Sequence, residues 1–413
     1  MMRPADASRS GSARIESALP VAQRVHELRR SVLRELIGVV SRPGILSLAG
    51  GLPDPWLFPQ THFTAAMSEV ITGDARALQY GPAWEPLKEE VVRIMALRGV
   101  ECSADRVFIT SGAQQGLSLL ASLLLDQGGT VLTEQSIYTG LTQAVAPFGG
   151  VHLTVPTDLE HGIDVDAVAW QLGRGAAPAF IYVIPDAHNP LGVSVAPDAR
   201  ARLVELARRY RVPIVEDDPY GLLAYDGPHA APLRALDDEM VIYAGSFSKI
   251  IAPALRLGWL IVPPALLKPL AILKEANDLE SSALMSRAVA AYLQAGHLPR
   301  HLELLKKEYR ERRDHMLAAL ARHLPEGTRW THPSGGFFTW VELAENVDTM
   351  ALLDRAVAEE KLAFVPGRAF AVEDSAPRCC MRLSFSNVTP ERIDEGVEAL
   401  GRIVAAAAPV GTR

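Results

Sequence analysis

Lys249 stands directly behind an apolar run, in the segment Gly245–Leu260, GSFSKIIAPALRLGWL. A lysine in apolar surroundings is rare unless it is paired or reactive, and a desolvated amine can form a Schiff base with an aldehyde. Three other segments end apolar runs in polar clusters. VIPDAHNPLG carries His188, Asn189 and Pro190; VEDDPYG carries Glu216, Asp217, Asp218 and Tyr220; ITSGAQQG runs through Gly112 into a helical pattern. Each alone has an ordinary reading, as a turn, a solvated strand end or a loop. Together they describe one chemistry. The turn Ser111–Gly112–Ala113–Gln114 opens a helix whose free N–H groups suit a phosphate. Ser246, Ser248 and Arg256 add hydroxyls and a guanidinium to the same group. A carboxylate at a neighbouring strand end can keep a pyridine nitrogen protonated. Phosphate cradle, amine and acidic partner are the requirements for pyridoxal 5'-phosphate.

The elements that must position these residues follow from the hydrophobic pattern. RVFITS, TVLTEQ, VHLTVP, AFIYVIP, VPIVEDD and MVIYAGS read as strands, separated by helical stretches such as QQGLSLLASLLL and APDARARLVELARRY. Strands apolar on both sides and alternating with helices predict an α/β fold with a mostly parallel sheet covered on both faces. Ligands then gather beyond the carboxyl ends of the strands. After about Ser282 the texture changes to PRHLELLKKEYRERRDHMLAAL, GFFTWVEL, CCMRLSFS and ERIDEGVEALGRIVAAAA, which read as a smaller α+β domain. The expected division is a disordered tail over 1–14, a helical segment over 15–48 packing with the small domain, a large domain over 49–290 and the small domain over 291–413.

Several segments make the resemblance specific: LSLAGGLPDP, LQYGP, ITSGAQQGL, EQSIYTG, HNPLG, VEDDPYG, GSFSKIIAPALRLGW, PSGGFFTWVEL, FVPGRAF and MRLSFS. In this order the sequence resembles the fold-type I, class I/II aminotransferases, within them the kynurenine/2-aminoadipate aminotransferase branch. The resemblance implies a seven-stranded sheet sandwiched by helices, pyridoxal phosphate as cofactor, and transfer of the α-amino group of an L-amino acid to 2-oxoglutarate or pyruvate. It implies that Lys249 holds the cofactor and moves the proton, and that Asp217 pairs with the pyridine nitrogen. Tyr220 and Asn189 would bond the cofactor's 3'-oxygen, and Tyr138 would stack on its ring. Ser111, Gly112, Ala113, Gln114, Ser246, Ser248 and Arg256 would surround the phosphate. Arg382 would grip the substrate carboxylate, with Asn189 and with Gly51 allowing close backbone approach. Tyr80 would reach the phosphate of a partner subunit in a homodimer. Two positions depart from the pattern: Leu191 replaces a threonine, and YGPAWEPLK lacks a glycine turn after Tyr80 and carries Trp84 there. A β-lyase or amino-acid oxidase on the same fold, and a cofactor-binding regulator, are the alternatives; a regulator would carry an N-terminal winged helix.

Bulk properties narrow the partners. The 413 residues carry a net charge of −7, which leaves no basic footprint for nucleic acid or anionic membrane. No apolar run has the length of a membrane span. The polar start lacks a secretory h-region, and three cysteines without metal spacing, Cys102, Cys379 and Cys380, fit a reducing cytoplasm.

Overall fold

The computed structural model describes residues 21–28, 38, 43–228, 230–372 and 378–407. Its centre is a seven-stranded sheet. The strands are β1 (Val107–Thr110), β2 (Thr130–Glu134), β3 (Val151–Val155), β4 (Phe180–Val183), β5 (Ile214–Asp218), β6 (Val241–Ser246) and β7 (Gly258–Ile261). In space they run β1-β7-β6-β5-β4-β2-β3. β4, β5, β6 and β7 are buried along their whole length, because helices cover both faces and leave no side for water.

Six strands coincide with the apolar runs read from the sequence. The seventh, β7, was not separated from the lysine segment by pattern alone. It pairs antiparallel with both β1 and β6. The reason is the length of the connection. Residues 247–257 are too few for the crossover that a parallel return needs. The chain therefore doubles back, and the turn that results carries Lys249 and Arg256 at one end of the sheet.

Behind this turn lies helix α1 (Ala113–Leu124), packed against α2 (Pro264–Asp278). β7 approaches the start of α1 closely. A Cβ at Gly258 would stand 2.9 Å from the Ala113 nitrogen and 2.8 Å from the Gly245 oxygen, so only glycine lets strand and helix meet here.

A second, antiparallel sheet has the order β8-β9-β11-β10, from β8 (Arg329–Trp330), β9 (Phe338–Glu342), β10 (Val365–Pro366) and β11 (Cys380–Ser384). The long helix α3 (Leu298–His323) packs on α4 (Pro390–Ala407) beside it. The segment after residue 43 is stitched to this part of the molecule. Leu46 and Ser47 pair in parallel with Leu362 and Ala363, and the Ser384 N–H donates to the Leu48 oxygen at 2.7 Å. That pairing delivers Ala49 and Gly51 to the face where the large sheet presents Lys249. The tail over 1–14 and most of the helical stretch VHELRRSVLRELIGVV lie outside the described residues. Among the described residues no helix is long and apolar enough to cross a membrane.

Candidate active site

A cavity of about 1000 Å³ lies where the ends of the two sheets and the 46–52 segment meet. It collects Gly51, Ala113, Gln114, Tyr138, Asn189, Asp217, Tyr220, Ser246, Ser248, Lys249, Arg256 and Arg382. Residues from twelve positions spread across the chain thus share one wall, as the strand-end reading requires.

Strand parity decides which acid of Glu216–Asp217–Asp218 faces the cavity. Successive side chains of β5 point to opposite faces of the sheet. Asp217 faces the cavity. Glu216 turns away and accepts the N–H groups of Leu233 and Arg234, both at 2.8 Å. Burial pushes the Glu216 carboxyl up to about 8, against these two bonds that lower it. Asp218 accepts the Tyr243 hydroxyl at 2.9 Å and the Gly221 N–H at 2.5 Å, which fixes the turn that brings Tyr220 inward. Arg98 reaches Asp218 at 3.5 Å and Asp186 at 2.5 Å, and Arg200 holds Asp186 from the other side at 2.5 Å. These buried ions are paired, so their role is to hold the strand ends together.

Asp217 accepts the hydroxyl of Tyr182 on β4, which donates at 2.6 Å. Burial raises its pKa to about 6; the Tyr182 bond works the other way. Tyr182 was not singled out in the sequence. A tyrosine inside a fully apolar strand was its signal, since a buried hydroxyl needs a partner.

Lys249 donates to the Gly51 oxygen at 2.9 Å, and burial, followed by repulsion from Arg382 and Arg256, lowers its pKa to about 8. Arg382 is buried on β11. Its two terminal nitrogens donate to the Asn189 side-chain oxygen at 2.7 Å and the Ala49 oxygen at 2.8 Å, and its plane lies over the rings of Phe338 and Phe370. Among the described residues it has no carboxylate partner, and its Nε has no partner at all. Burial brings its pKa down to about 9. The cross-strand salt bridge that such a residue could have made is therefore replaced by an unneutralised cation facing the cavity. Gly51 makes the approach possible, since a Cβ there would stand 2.8 Å from the Phe338 ring.

The opposite end of the cavity has the character of an anion site. Gly112, at φ 89°, precedes helix α1 as its cap residue, and no side chain caps its first turn. Ser246 and Ser248 adjoin it, the Ser248 N–H donating to the Ser246 hydroxyl at 3.1 Å. Arg256 lies across Gly112 so closely that a Cβ there would meet its Nη2 at 2.6 Å. Tyr138 donates its hydroxyl to the Gln114 side chain at 3.2 Å.

One expectation needs adjustment, and the two departures from the family pattern can be located. Ser111 and Gly112 do not line the cavity; the Ser111 hydroxyl turns away and donates to Asp278 at 2.7 Å. Leu191 is buried in the core, and its oxygen accepts the Thr331 hydroxyl at 2.6 Å, so the substitution places no polar gap in the wall. Tyr80 is 87% exposed and does not line the cavity. Trp84 after it lies under Arg287, whose guanidinium sits 3.8 Å from the ring and 3.0 Å from Asp74. This clamp fixes the shortened loop. His188 sits 3.1 Å from Glu134 and also stays outside the cavity.

The family model for aminotransferase class I and II matches residues 57–400. The chain belongs to that family. It is 36% identical to an aromatic-amino-acid aminotransferase of Thermococcus litoralis, over 91% of this chain and 92% of the relative. It is 38% identical to a 2-aminoadipate transaminase of Thermus thermophilus, over 91% and 94%. The crystal structure of the Pyrococcus horikoshii kynurenine aminotransferase superposes with a TM-score of 0.89 at 36% identity, covering 94% of this chain and 97% of that one. The enzyme is a fold-type I aminotransferase and its cofactor is pyridoxal 5'-phosphate. The cavity fits that group: an uncapped helix start with hydroxyls and a cation at one end, a buried carboxylate at depth, and a lysine of lowered pKa between. Bound there, the cofactor supplies the aldehyde and the electron-withdrawing ring through which amino groups are exchanged.

The position of Lys249 has a consequence for the protein without cofactor. Its folded pKa of about 8 lies below the 10.5 of the unfolded chain. Between these values the unfolded state binds more protons, so stability rises with pH through that window. Lys249→Met removes the penalty. The apoprotein variant is expected to melt above the parent at pH 7, with the gap closing as pH rises from 8 toward 10.5. Thermal melts across that range test this; a gap that does not change with pH contradicts the buried-amine reading.

Proposed function

We propose that Lys249, Asp217 and Arg382 divide the work of transamination. Lys249 attaches the cofactor covalently and, once released, moves the proton at the substrate α-carbon. Asp217 holds a proton on the pyridine nitrogen, with Tyr182 keeping its carboxylate ionised and oriented. Arg382 binds the α-carboxylate in a bidentate pair, with Asn189 and the backbone at Gly51 beside it. Tyr220 and Asn189 hold the cofactor's 3'-oxygen, and Tyr138 covers the ring. The N–H groups of Ala113 and Gln114, with Ser246, Ser248 and Arg256, hold the phosphate.

The observation that carries this reading is Arg382. A buried guanidinium without a counter-charge is costly, and a monoanionic substrate end removes the cost only while it is bound. The donor is an L-α-amino acid and the acceptor 2-oxoglutarate or pyruvate, in two half-reactions at one site, so the kinetics are ping-pong. Relatives named aromatic-amino-acid, 2-aminoadipate and kynurenine aminotransferases support trying those donors first. The three free thiols suit a reducing cytoplasm. The active unit is a homodimer in which exposed Tyr80 reaches the partner's phosphate site.

A panel of amino donors, each added alone to the holoenzyme, tests the chemistry. A productive donor converts the bound cofactor to pyridoxamine phosphate, and a 2-oxo acid restores it. Asp217→Ala is expected to slow this half-reaction about a hundredfold or more, and Asp218→Ala far less, as a turn-holding residue. Equal losses would show that the wrong carboxylate has been chosen; ammonia release without the pyridoxamine form would favour a lyase.

Subunit mixing tests the dimer. Inactive Tyr80→Ala and inactive Lys249→Ala chains are expected to regain one active site of two after exchange. Verified exchange without recovered activity contradicts a role for Tyr80 in trans.

A further inference from the structure

Beneath the start of α1 a polar cluster surrounds a buried lysine, outside the cavity except where it meets Arg256. Lys274, on α2, is 2% exposed. Its Nζ donates to Asp278 at 2.8 Å and to the Gln115 side-chain oxygen at 3.1 Å. The same Gln115 oxygen accepts the Ser111 N–H at 2.7 Å, while its amide donates to Asp278 at 2.6 Å and to Asn277 at 3.0 Å. The Ser111 hydroxyl donates to Asp278 at 2.7 Å and lies 3.2 Å from the Ser281 hydroxyl. The third polar group of Ser111, its carbonyl, accepts Arg256 at 3.3 Å.

Ser111 is thus held by all three of its polar groups. Its N–H goes to Gln115, its hydroxyl to Asp278 and its oxygen to Arg256. The residue next to it, Gly112, sets the direction of the first N–H groups of α1. A buried lysine paired with a half-buried carboxylate is an expensive way to hold a turn, and a neutral pair of side chains could have bridged these elements. The charge has an evident use at this location. Asp278 organises the donors of Ser111 and Gln115, and Lys274 cancels a negative charge that would otherwise stand behind a site for a dianion.

We infer that Lys274, Asp278 and Gln115 are positioning residues for the cofactor's phosphate, acting through Ser111 to fix the start of α1 and the Arg256 guanidinium. They do not touch the cofactor. The inference rests on reading the α1 start as the phosphate site. It assigns to Ser111 the role of a tether, where the sequence suggested a ligand.

The test compares binding of pyridoxal 5'-phosphate and of pyridoxal, which lacks the phosphate, to the apoprotein of the full chain by equilibrium absorbance titration. The parent is expected to prefer the phosphorylated form strongly. Lys274→Met is expected to weaken binding of pyridoxal phosphate tenfold or more and to leave pyridoxal binding within about twofold, since the lost compensation is felt only by the dianion. Lys274→Met with Asp278→Asn, which restores neutrality, is expected to recover part of the loss. Ser111→Ala, a small deletion that keeps the turn, is expected to weaken the phosphorylated form roughly threefold to tenfold with the same selectivity; it carries the test if Lys274→Met does not fold. Equal loss for both ligands, or no loss for the phosphorylated one, overturns the inference. A parent that binds the two equally overturns the phosphate reading itself.

Discussion

Desolvation of three ionisable groups in one cavity is the constraint on which the structure turns. Lys249, Asp217 and Arg382 are each shifted toward their neutral forms, and in each burial is the first cause. Elsewhere in the interior the chain neutralises its buried ions: Asp186 between Arg98 and Arg200, Lys274 with Asp278, Arg312 with Asp54. The cavity groups differ in having hydrogen bonds but, among the described residues, no counter-charge. The cofactor, with its ring nitrogen and aldehyde, and the substrate, with its carboxylate, together meet these three needs. The binding free energy withheld from the empty protein is then available to the complex.

The fold keeps these groups in place by geometry more than by strong contacts. Parallel strands end together, so β4, β5 and β6 deliver Asn189, Asp217 and Lys249 to one edge. The reversed β7 folds Arg256 back to the same edge and presses on α1. The second sheet brings Arg382 from the far end of the chain, and the pairing of Leu46–Ser47 with Leu362–Ala363 lays Ala49 and Gly51 across the opening. The site is assembled from both sheets, so a shift between them changes the separation of Lys249 and Arg382 directly.

Much of this was legible in the sequence because it is written in local pattern. Apolar runs bounded by polar clusters identified six of the seven strands, and the clusters themselves contained Lys249, Asp217 and Asn189. The parts that were not legible depend on contacts distant in sequence. The direction of β7 follows from connection length rather than residue type. The tie between Tyr182 and Asp217 crosses from one strand to its neighbour. Ser111 has the same hydroxyl whether it faces a phosphate or Asp278, and only the placement of α2 decides between them. Trp84 looked like an intrusion in a shortened loop, and Arg287, which stacks over it, is far along the chain.

The central claim is that one lysine, Lys249, forms the covalent attachment at the meeting point of the two sheets. Borohydride reduction of the holoenzyme, followed by proteolysis and mass spectrometry of the peptides, measures it directly. The account predicts a reduced pyridoxyl-phosphate adduct on the peptide containing Lys249 and on no other. An adduct on Lys274, the other buried lysine near the phosphate end, or an unlabelled Lys249 in active enzyme, would contradict it.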